Sequence, residues 1–408
     1  GHMQAIRYRE RLPEWARTVH AAYDRLADTA DIVVLEGAGS PAEINLKSRD
    51  IVNMSMAAHA IGRARAAGRP GNALLVGDIE RGGVFASLFG TLALLPPEER
   101  ALFDGVIINR FRGDPRLLAP GPQMFTDLSG VRVRGVLPYR ADIAIDEEDS
   151  QDLHGNTGGV LDVCVIRLPT VSNFTDLSTL GTLPDVSVRY ASRNEDIGNP
   201  DLLVLPGAKD TLADLRWMKQ TGLDQGVIAA AQRTIPILGL CGGYQILGRS
   251  IRDPRGVGGA VGEEPALGLL PVKTVFSPNK TITERHGVSH AGWLLPEGTP
   301  VRGYEIHQGQ TSPSHAPLLR LGDQDDGAIA GNVAGTYLHG LLDTAQARRA
   351  ILDALRGRRA LPPLEDAIED VDAFRDRQYD LAADVIEAHL DLDGLLPSPN
   401  KVSPHPHH

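Results

Sequence analysis

The chain is poor in cysteine, lysine and aromatic residues, and each shortage excludes something. Two cysteines, Cys164 and Cys241, stand among 408 residues. That rules out a disulfide framework or a zinc-finger spacing and fits a reducing cytoplasm. Lysine occurs six times against thirty-five arginines, so there is no Lys-rich run, and the net charge of -11 argues against a broad nucleic-acid or acidic-membrane surface. No apolar stretch approaches the length of a membrane span, and no signal-peptide pattern opens the chain. Gly1-His2-Met3 reads as a cloning remnant, and the final His-Pro-His-His as a tail too short for a metal site. Hydrophobic content of 42% and charged content of 23% are those of an ordinary globular protein. The length predicts about two to three domains.

What is present is alternation. Apolar runs at 32–35, 73–77, 105–109, 133–137, 161–167, 201–205 and 235–240 read as strands. Amphipathic stretches at 12–28, 50–67, 82–95, 210–221, 224–233, 243–249, 344–357 and 372–391 read as helices. This order predicts an α/β protein with two domains, each a mainly parallel sheet covered by helices, with ligands at the carboxyl ends of strands. The acidic, glycine-rich stretch 146–160 is the expected boundary. It divides a first domain, 1–150, from a second, 160–392, with a tail at 393–408. Residues 252–266 read as a loop and 360–371 as an acidic, solvated surface. Cys164, mid-strand, reads as core.

The sharpest chemistry lies at LGLCGGYQ, 238–245. Cys241 falls between an apolar strand and a glycine-opened helix, the arrangement of a nucleophile elbow with cysteine in place of serine. Such a turn lifts the sulfur into the open and favours its thiolate. His339, in GTYLHG at 335–340, is the expected general base. Gly242, and Gly207 in DLLVLPGAKDT at 201–211, are expected to offer N–H groups to an oxyanion. The competing reading is that Cys241 is a small buried hydrophobe.

Together these segments resemble the class I glutamine amidotransferase domain from residue 160 to about 390. The resemblance implies a cysteine that takes the acyl group of glutamine and releases ammonia. One position departs from the commonest pattern. Two residues after His339, where many members carry a glutamate that orients the imidazole, stands Leu341. That absence is a feature of the cobyrinic and cobyric acid synthase branch, and it leaves open what orients His339. Asp343 is near in sequence but reads as a surface carboxylate. GYEIHQGQ at 303–310 and RLPTVSNFTDL at 167–177 resemble the same branch. Glu305 and His307 share one strand face, which suits a half-exposed edge strand, while the resemblance implies a place near the active site. Asn173 and Asp176 suit a domain junction and suit turn formation equally.

In the first half, VVLEGAGSPAEINL at 33–46 delivers Glu36 from an apolar run into a glycine loop, a place that suits magnesium on phosphates. This string, SRDIVNMSMA at 48–57, LLVGDIERGGVFAS at 74–87 and VIINRFRGD at 106–114 resemble the cobyric acid synthase family, whose first domain is a dethiobiotin-synthetase-like P-loop enzyme. The resemblance gives Glu36 a magnesium role, places Asp78 and Asn109 toward the nucleotide, and turns Arg81 toward phosphate or a substrate carboxylate. Arg81 also reads as a surface ion-pair partner. No Gly-Lys-Ser or Gly-Lys-Thr occurs in the chain, so the phosphate-cradling loop is absent. The family carries that loop near its start. The first strand, the loop and the segments after it are therefore expected to lie outside this sequence, leaving a truncated first domain and a polypeptide that hydrolyses glutamine better than it uses ATP.

The implied function is glutamine-dependent amidation of corrinoid side-chain carboxylates. Adenosylcobyrinic acid a,c-diamide becomes adenosylcobyric acid at positions b, d, e and g, with ATP, Mg and glutamine and no tightly bound prosthetic group. The implied partner is a corrinoid small molecule, with no nucleic acid, no membrane and room for a homo-oligomer. Three competing readings stand beside it. They are a related amidoligase (cobyrinic acid a,c-diamide synthase or a cell-wall amidating type), a non-catalytic corrinoid-binding derivative, and a cysteine hydrolase of the same elbow fold. PAEINL and NFTDL favour cobyric acid synthase over its nearest relatives.

Overall fold

The computed structural model describes residues 5–47, 50–145, 158–173, 175–183, 185–365 and 367–396. Most of the expected boundary stretch, at 146–157, and of the expected tail, at 397–408, lies outside them, as do residues 48 and 49 of the SRDIVNMSMA string. The chain forms two compact units, Gly1–Ala144 with Gln378–His408, and Ile145–Arg377. Residues 378–392, expected in the second domain, thus group with the first. The reason is specific. Leu390 bridges Gly135, and the Asp391 N–H donates to the Arg134 carbonyl at 2.7 Å. The Arg134 guanidinium donates to the carbonyls of Asp391 and Asp393 at 2.7 and 2.8 Å. A Cβ on Gly135 would lie 2.1 Å from the His389 carbonyl oxygen, so this approach needs glycine.

The first unit holds a three-stranded parallel sheet, Ala73–Asp78, Phe103–Phe111 and Val133–Pro138 in that order. The helices Val84–Leu94 and Pro120–Ser129 connect the strands. Val84, Leu88, Leu92, Val106, Ile108 and Phe125 form its core. The expected strand at 32–35 does not form. Among the described residues no strand pairs with it, and Val34 is 88% exposed. An apolar run becomes a strand only where a neighbour satisfies its backbone groups.

The second unit is built on a six-stranded sheet in the order Ala328–Ala330, Val333–Thr336, Ile237–Leu240, Leu202–Leu205, Leu161–Ile166 and Val186–Ala191. The Ala328–Ala330 edge is antiparallel and the remaining pairings are parallel. Strands such as LLVL and ILGL are buried along their whole length, as in a parallel sheet covered on both faces. Cys164 sits in this core with no exposure, and burial pushes its thiol up to about 11.

The sequence reading missed the second sheet of this unit. Lys273–Ser289 pairs antiparallel with Pro300–Thr311 as a long hairpin. Ser250–Asp253 pairs parallel with the hairpin's first strand, and Gly262–Pro265, in the stretch read as a loop, pairs in turn with Ser250–Asp253. The hairpin changes register between Phe276 and Thr281, which breaks the alternation that would have signalled a strand. Among the described residues no helix is long and apolar enough to cross a membrane.

Candidate active site

Three adjacent parallel strands set the site. Leu240 lies opposite Thr336, and Gly239 opposite both Gly335 and Leu205. The residues beyond these strand ends, Cys241, His339 and Gly207, therefore leave the sheet at the same edge. Cys241 caps the short helix Gly242–Leu247 with φ +48° and ψ -103°. That φ is costly for a non-glycine residue, and such outliers gather where the surroundings hold a side chain for use. The fold demands glycine around it. A Cβ on Gly242 would lie 2.8 Å from the Ala208 nitrogen, and one on Gly243 would lie 2.0 Å from the Leu205 carbonyl oxygen.

The turn does not lift the sulfur into the open as expected: Cys241 is 7% exposed and packs in the core, beside polar groups as well as apolar ones. Its Sγ is 3.8 Å from the Ile306 carbonyl, and the thiol interacts electrostatically with the His339 imidazole. His339 has no exposed surface. Its Nδ1 lies 2.6 Å from Asp176 Oδ2, and the Tyr304 ring stacks on it at 5.3 Å. The Asn173 amide is 2.7 Å from Nε2 and 3.2 Å from Nδ1. Burial pushes the His339 pKa down, but the hydrogen bond to Asp176 and the interaction with Cys241 outweigh it, and the imidazole titrates at about 10. A charged imidazolium beside the sulfur is the partner a thiolate requires.

Gly207 sits across from Ser172 in a two-residue antiparallel pairing, Val171 with Ala208 and Ser172 with Gly207. A Cβ there would lie 3.4 Å from His339 Cε1. Gly207, Ala208, Gly242, Cys241 and His339 thus line one small volume.

Sequence reasoning placed the GYEIHQGQ segment near this chemistry through Glu305 and His307, and the contacts are different. The residues that meet the pair are Tyr304, by its ring and by two backbone hydrogen bonds with His339, and Ile306, by its carbonyl. Glu305 is buried and accepts from Arg285 at 2.8 Å. His307 stacks on Tyr337 at 3.8 Å, has its pKa lowered by burial, and bonds the Gly309 carbonyl at 2.8 Å. Tyr337 also receives a hydrogen bond from Gln245 Nε2 at 3.0 Å. Asp343 is half-buried and forms no hydrogen bond with the His339 ring. The most important residue left unassigned by sequence is Asp176. Its signal, the NFTDL string, was visible, but nothing local tied it to a histidine 163 positions away.

In the first unit Asp78 and Asn109 stand opposite each other at the carboxyl ends of paired strands. Asp78 accepts from the Glu80 N–H at 3.0 Å and faces Arg81 at 3.8 Å and Arg110 at 3.6 Å. Arg81 is 87% exposed along its side chain. Glu36 is exposed, in a glycine loop whose Ala38 carbonyl accepts from Asn53 Nδ2 at 2.9 Å. Among the described residues no group of three or more His, Cys, Asp or Glu side chains is arranged to hold a metal. One exposed carboxylate is a thin donor set for magnesium, which is usually held by one or two carboxylates together with substrate phosphates.

Residues 162–347 match the CobB/CobQ-like glutamine amidotransferase domain family. Over the whole chain, the cobyric acid synthase of Yersinia enterocolitica is 42% identical over 417 residues, covering 97% of this chain and 79% of that protein. The cobyric acid synthase of Klebsiella pneumoniae strain 342 is 43% identical over 410 residues, 96% of this chain and 78% of the relative. That of Mycolicibacterium vanbaalenii is 43% identical over 404 residues, 97% and 76%.

Proposed function

The chain belongs to the cobyric acid synthase family, and we propose that it hydrolyses glutamine at Cys241 and spends the ammonia on ATP-dependent amidation of corrinoid carboxylates. The observation that carries this reading is that one strand, Pro300–Thr311, meets both residues, Tyr304 stacking on the buried His339 ring and the Ile306 carbonyl lying 3.8 Å from the Cys241 sulfur.

His339 holds the proton of Cys241, leaving a thiolate. The sulfur attacks the carboxamide carbon of glutamine, and the oxyanion rests on backbone N–H groups near Gly207 and Gly242. The C–N bond breaks as His339 returns its proton to the leaving nitrogen, so ammonia departs and a thioester remains. Water, deprotonated by His339, then cleaves the thioester to glutamate. The strained elbow and the surrounding close approaches hold the sulfur in place before substrate arrives.

The amidation is assigned to the amino-terminal unit. ATP phosphorylates a corrinoid side-chain carboxylate, ammonia displaces phosphate from the acyl phosphate, and an amide forms. Repetition at b, d, e and g turns adenosylcobyrinic acid a,c-diamide into adenosylcobyric acid. Glu36, Asp78 and Asn109 are assigned to nucleotide and magnesium, and Arg81 to phosphate or a substrate carboxylate. Bound magnesium would neutralise phosphate charge. The cytoplasm and a homo-oligomer belong to the same reading.

The test has two arms. Ammonia release from glutamine is measured for the chain and for Cys241→Ala. Release that persists in the variant sinks the glutaminase assignment. The diamide, ATP, Mg and glutamine are then supplied, and mass spectrometry counts the amides. Ammonia release without new amides confines the activity of this chain to its glutaminase half.

A further inference from the structure

An imidazole that serves a thiolate presents one ring nitrogen to the sulfur, so something must fix the other. The chain beyond His339 offers no acid for this. Gly340 turns at φ +81°, and Leu341 and Leu342 are packed into the core at 2% and 4% exposure. Asp343 lies further on without reaching the ring. The acid comes instead from the start of the helix Thr175–Gly181. Asp176 is 6% exposed and uses both oxygens. Oδ2 meets His339 Nδ1 at 2.6 Å, and Oδ1 accepts the Gly340 N–H at 2.8 Å. One carboxylate thus fixes the ring and the backbone of the next residue.

The segment bearing Asp176 is itself anchored to the loop that carries Gly207. Val171 and Ser172 pair with Ala208 and Gly207. The Thr170 hydroxyl donates to Asp214 at 2.8 Å and accepts from the Asp210 N–H at 2.9 Å. The Lys209 N–H donates to the Thr170 carbonyl at 2.8 Å.

We propose that Asp176 is the positioning residue of the glutaminase reaction, holding Nδ1–H so that Nε2, which the Asn173 amide also meets at 2.7 Å, serves Cys241, in place of an acid shortly after the histidine. This rests on the glutaminase reading above. The other titratable groups around the ring are Cys241, Tyr304 in the stack, and His307, whose charge His339 opposes.

The experiment uses the full chain carrying Asp176→Asn, Asp176→Glu or Asp343→Asn. Ammonia release is resolved into kcat and KM across pH. The rate of Cys241 alkylation by iodoacetamide is measured against pH, with peptide mapping to separate Cys241 from Cys164. Asp176→Asn keeps an acceptor for Gly340 but presents an amide N–H to Nδ1 and selects the wrong tautomer. It should lower kcat on the order of 10²-fold or more with KM unchanged. It should also move the alkylation profile of Cys241 to higher pH. Asp176→Glu should recover part of both, and Asp343→Asn should leave both within about threefold.

A wild-type-like kcat and alkylation profile in Asp176→Asn overturns the proposal. So does an Asp343→Asn variant that reproduces the defect. If Asp176→Asn does not fold, Asp176→Glu decides, since a melting curve like wild type with an unmoved alkylation profile also overturns it. Alkylation needs no turnover. A chain that releases no ammonia defeats the glutaminase reading, while the thiol's pH profile still judges Asp176.

Discussion

The two units carry their chemistry-bearing side chains in opposite ways. In the second, the groups are buried and each is met by a fixed neighbour: His339 by Asp176, Tyr304 and the Cys241 thiol, and Glu305 by Arg285. In the first, Glu36 and Arg81 are exposed, and Asp78 faces arginines across 3.6 to 3.8 Å. A reactive thiolate must be made by the protein itself, so its surroundings have to be preorganised. Groups that hold phosphates and carboxylates can stay hydrated until the ligand brings the opposing charge. The cores differ in the same direction. The second unit's core takes in nearly every central strand and the helices against them, while that of the first is six residues over a three-stranded sheet.

The comparison breaks most directly at the sulfur. Cys241→Ala should bring glutamine hydrolysis to background, a loss on the order of 10⁴-fold or more, while the melting temperature stays near that of the parent. Residual Cys241-independent hydrolysis, measured as ammonia, would mean that the buried cluster is packing rather than chemistry. The next effect is structural. Gly243→Ala sets a Cβ 2.0 Å from the Leu205 carbonyl and should cost about 3 kcal/mol or more, because backbone on both sides must move. The counterpart in the first unit is Gly62, exposed in the interior of the helix Met54–Ala66 with open space where a Cβ would go. Gly62→Ala should stabilise by about 0.5–1 kcal/mol. Denaturant melts of the two variants with opposite signs sharpen the contrast. A tolerated Gly243→Ala would show that the elbow is loosely packed.

How much of this was legible depends on where each signal lies. The elbow was readable because strand, cysteine and glycines are contiguous, and parallel strands buried on both faces announce themselves as unbroken apolar runs. His339 was readable by a short apolar run and a glycine. Asp176 was not assigned, because its partner is distant in sequence and no local rule links them. Tyr304 and Ile306 were passed over for Glu305 and His307, since alternation reveals two faces of a strand without saying which faces the site. The long hairpin stayed hidden behind its register break. IVVL at 32–35 misled for the opposite reason. Its composition is that of a strand, but pairing decides, and it has no partner among the described strands.

The smallest test uses pH. In the first unit, Asp24, Asp104, Asp114 and Asp142 all have lowered pKa values, held down chiefly by arginine partners, with burial opposing at Asp104. Their contribution is complete above the unfolded value near 3.8 and is lost only as pH falls below it. In the second unit, burial raises Asp214 and Asp326 to about 6 and raises Asp343 as well. Asp253 and Glu264 there run the other way, held down by backbone N–H groups and by Arg216 with Lys219. A raised acid binds its proton more tightly in the folded state. Its contribution is therefore full below about 3.8 and is lost as pH rises through about 6. Between pH 4 and 6 the second unit should lose stability with rising pH through Asp214 and Asp326, while the four lowered acids of the first add nothing. Asp214→Asn keeps an acceptor for the Thr170 hydroxyl and removes one of these titrations. It should flatten, without abolishing, the decline in melting temperature across that window. A slope identical to the parent's would show that Asp214 is ionised throughout, and that burial at the foot of the Gly207 loop is less severe than its 1% exposure implies.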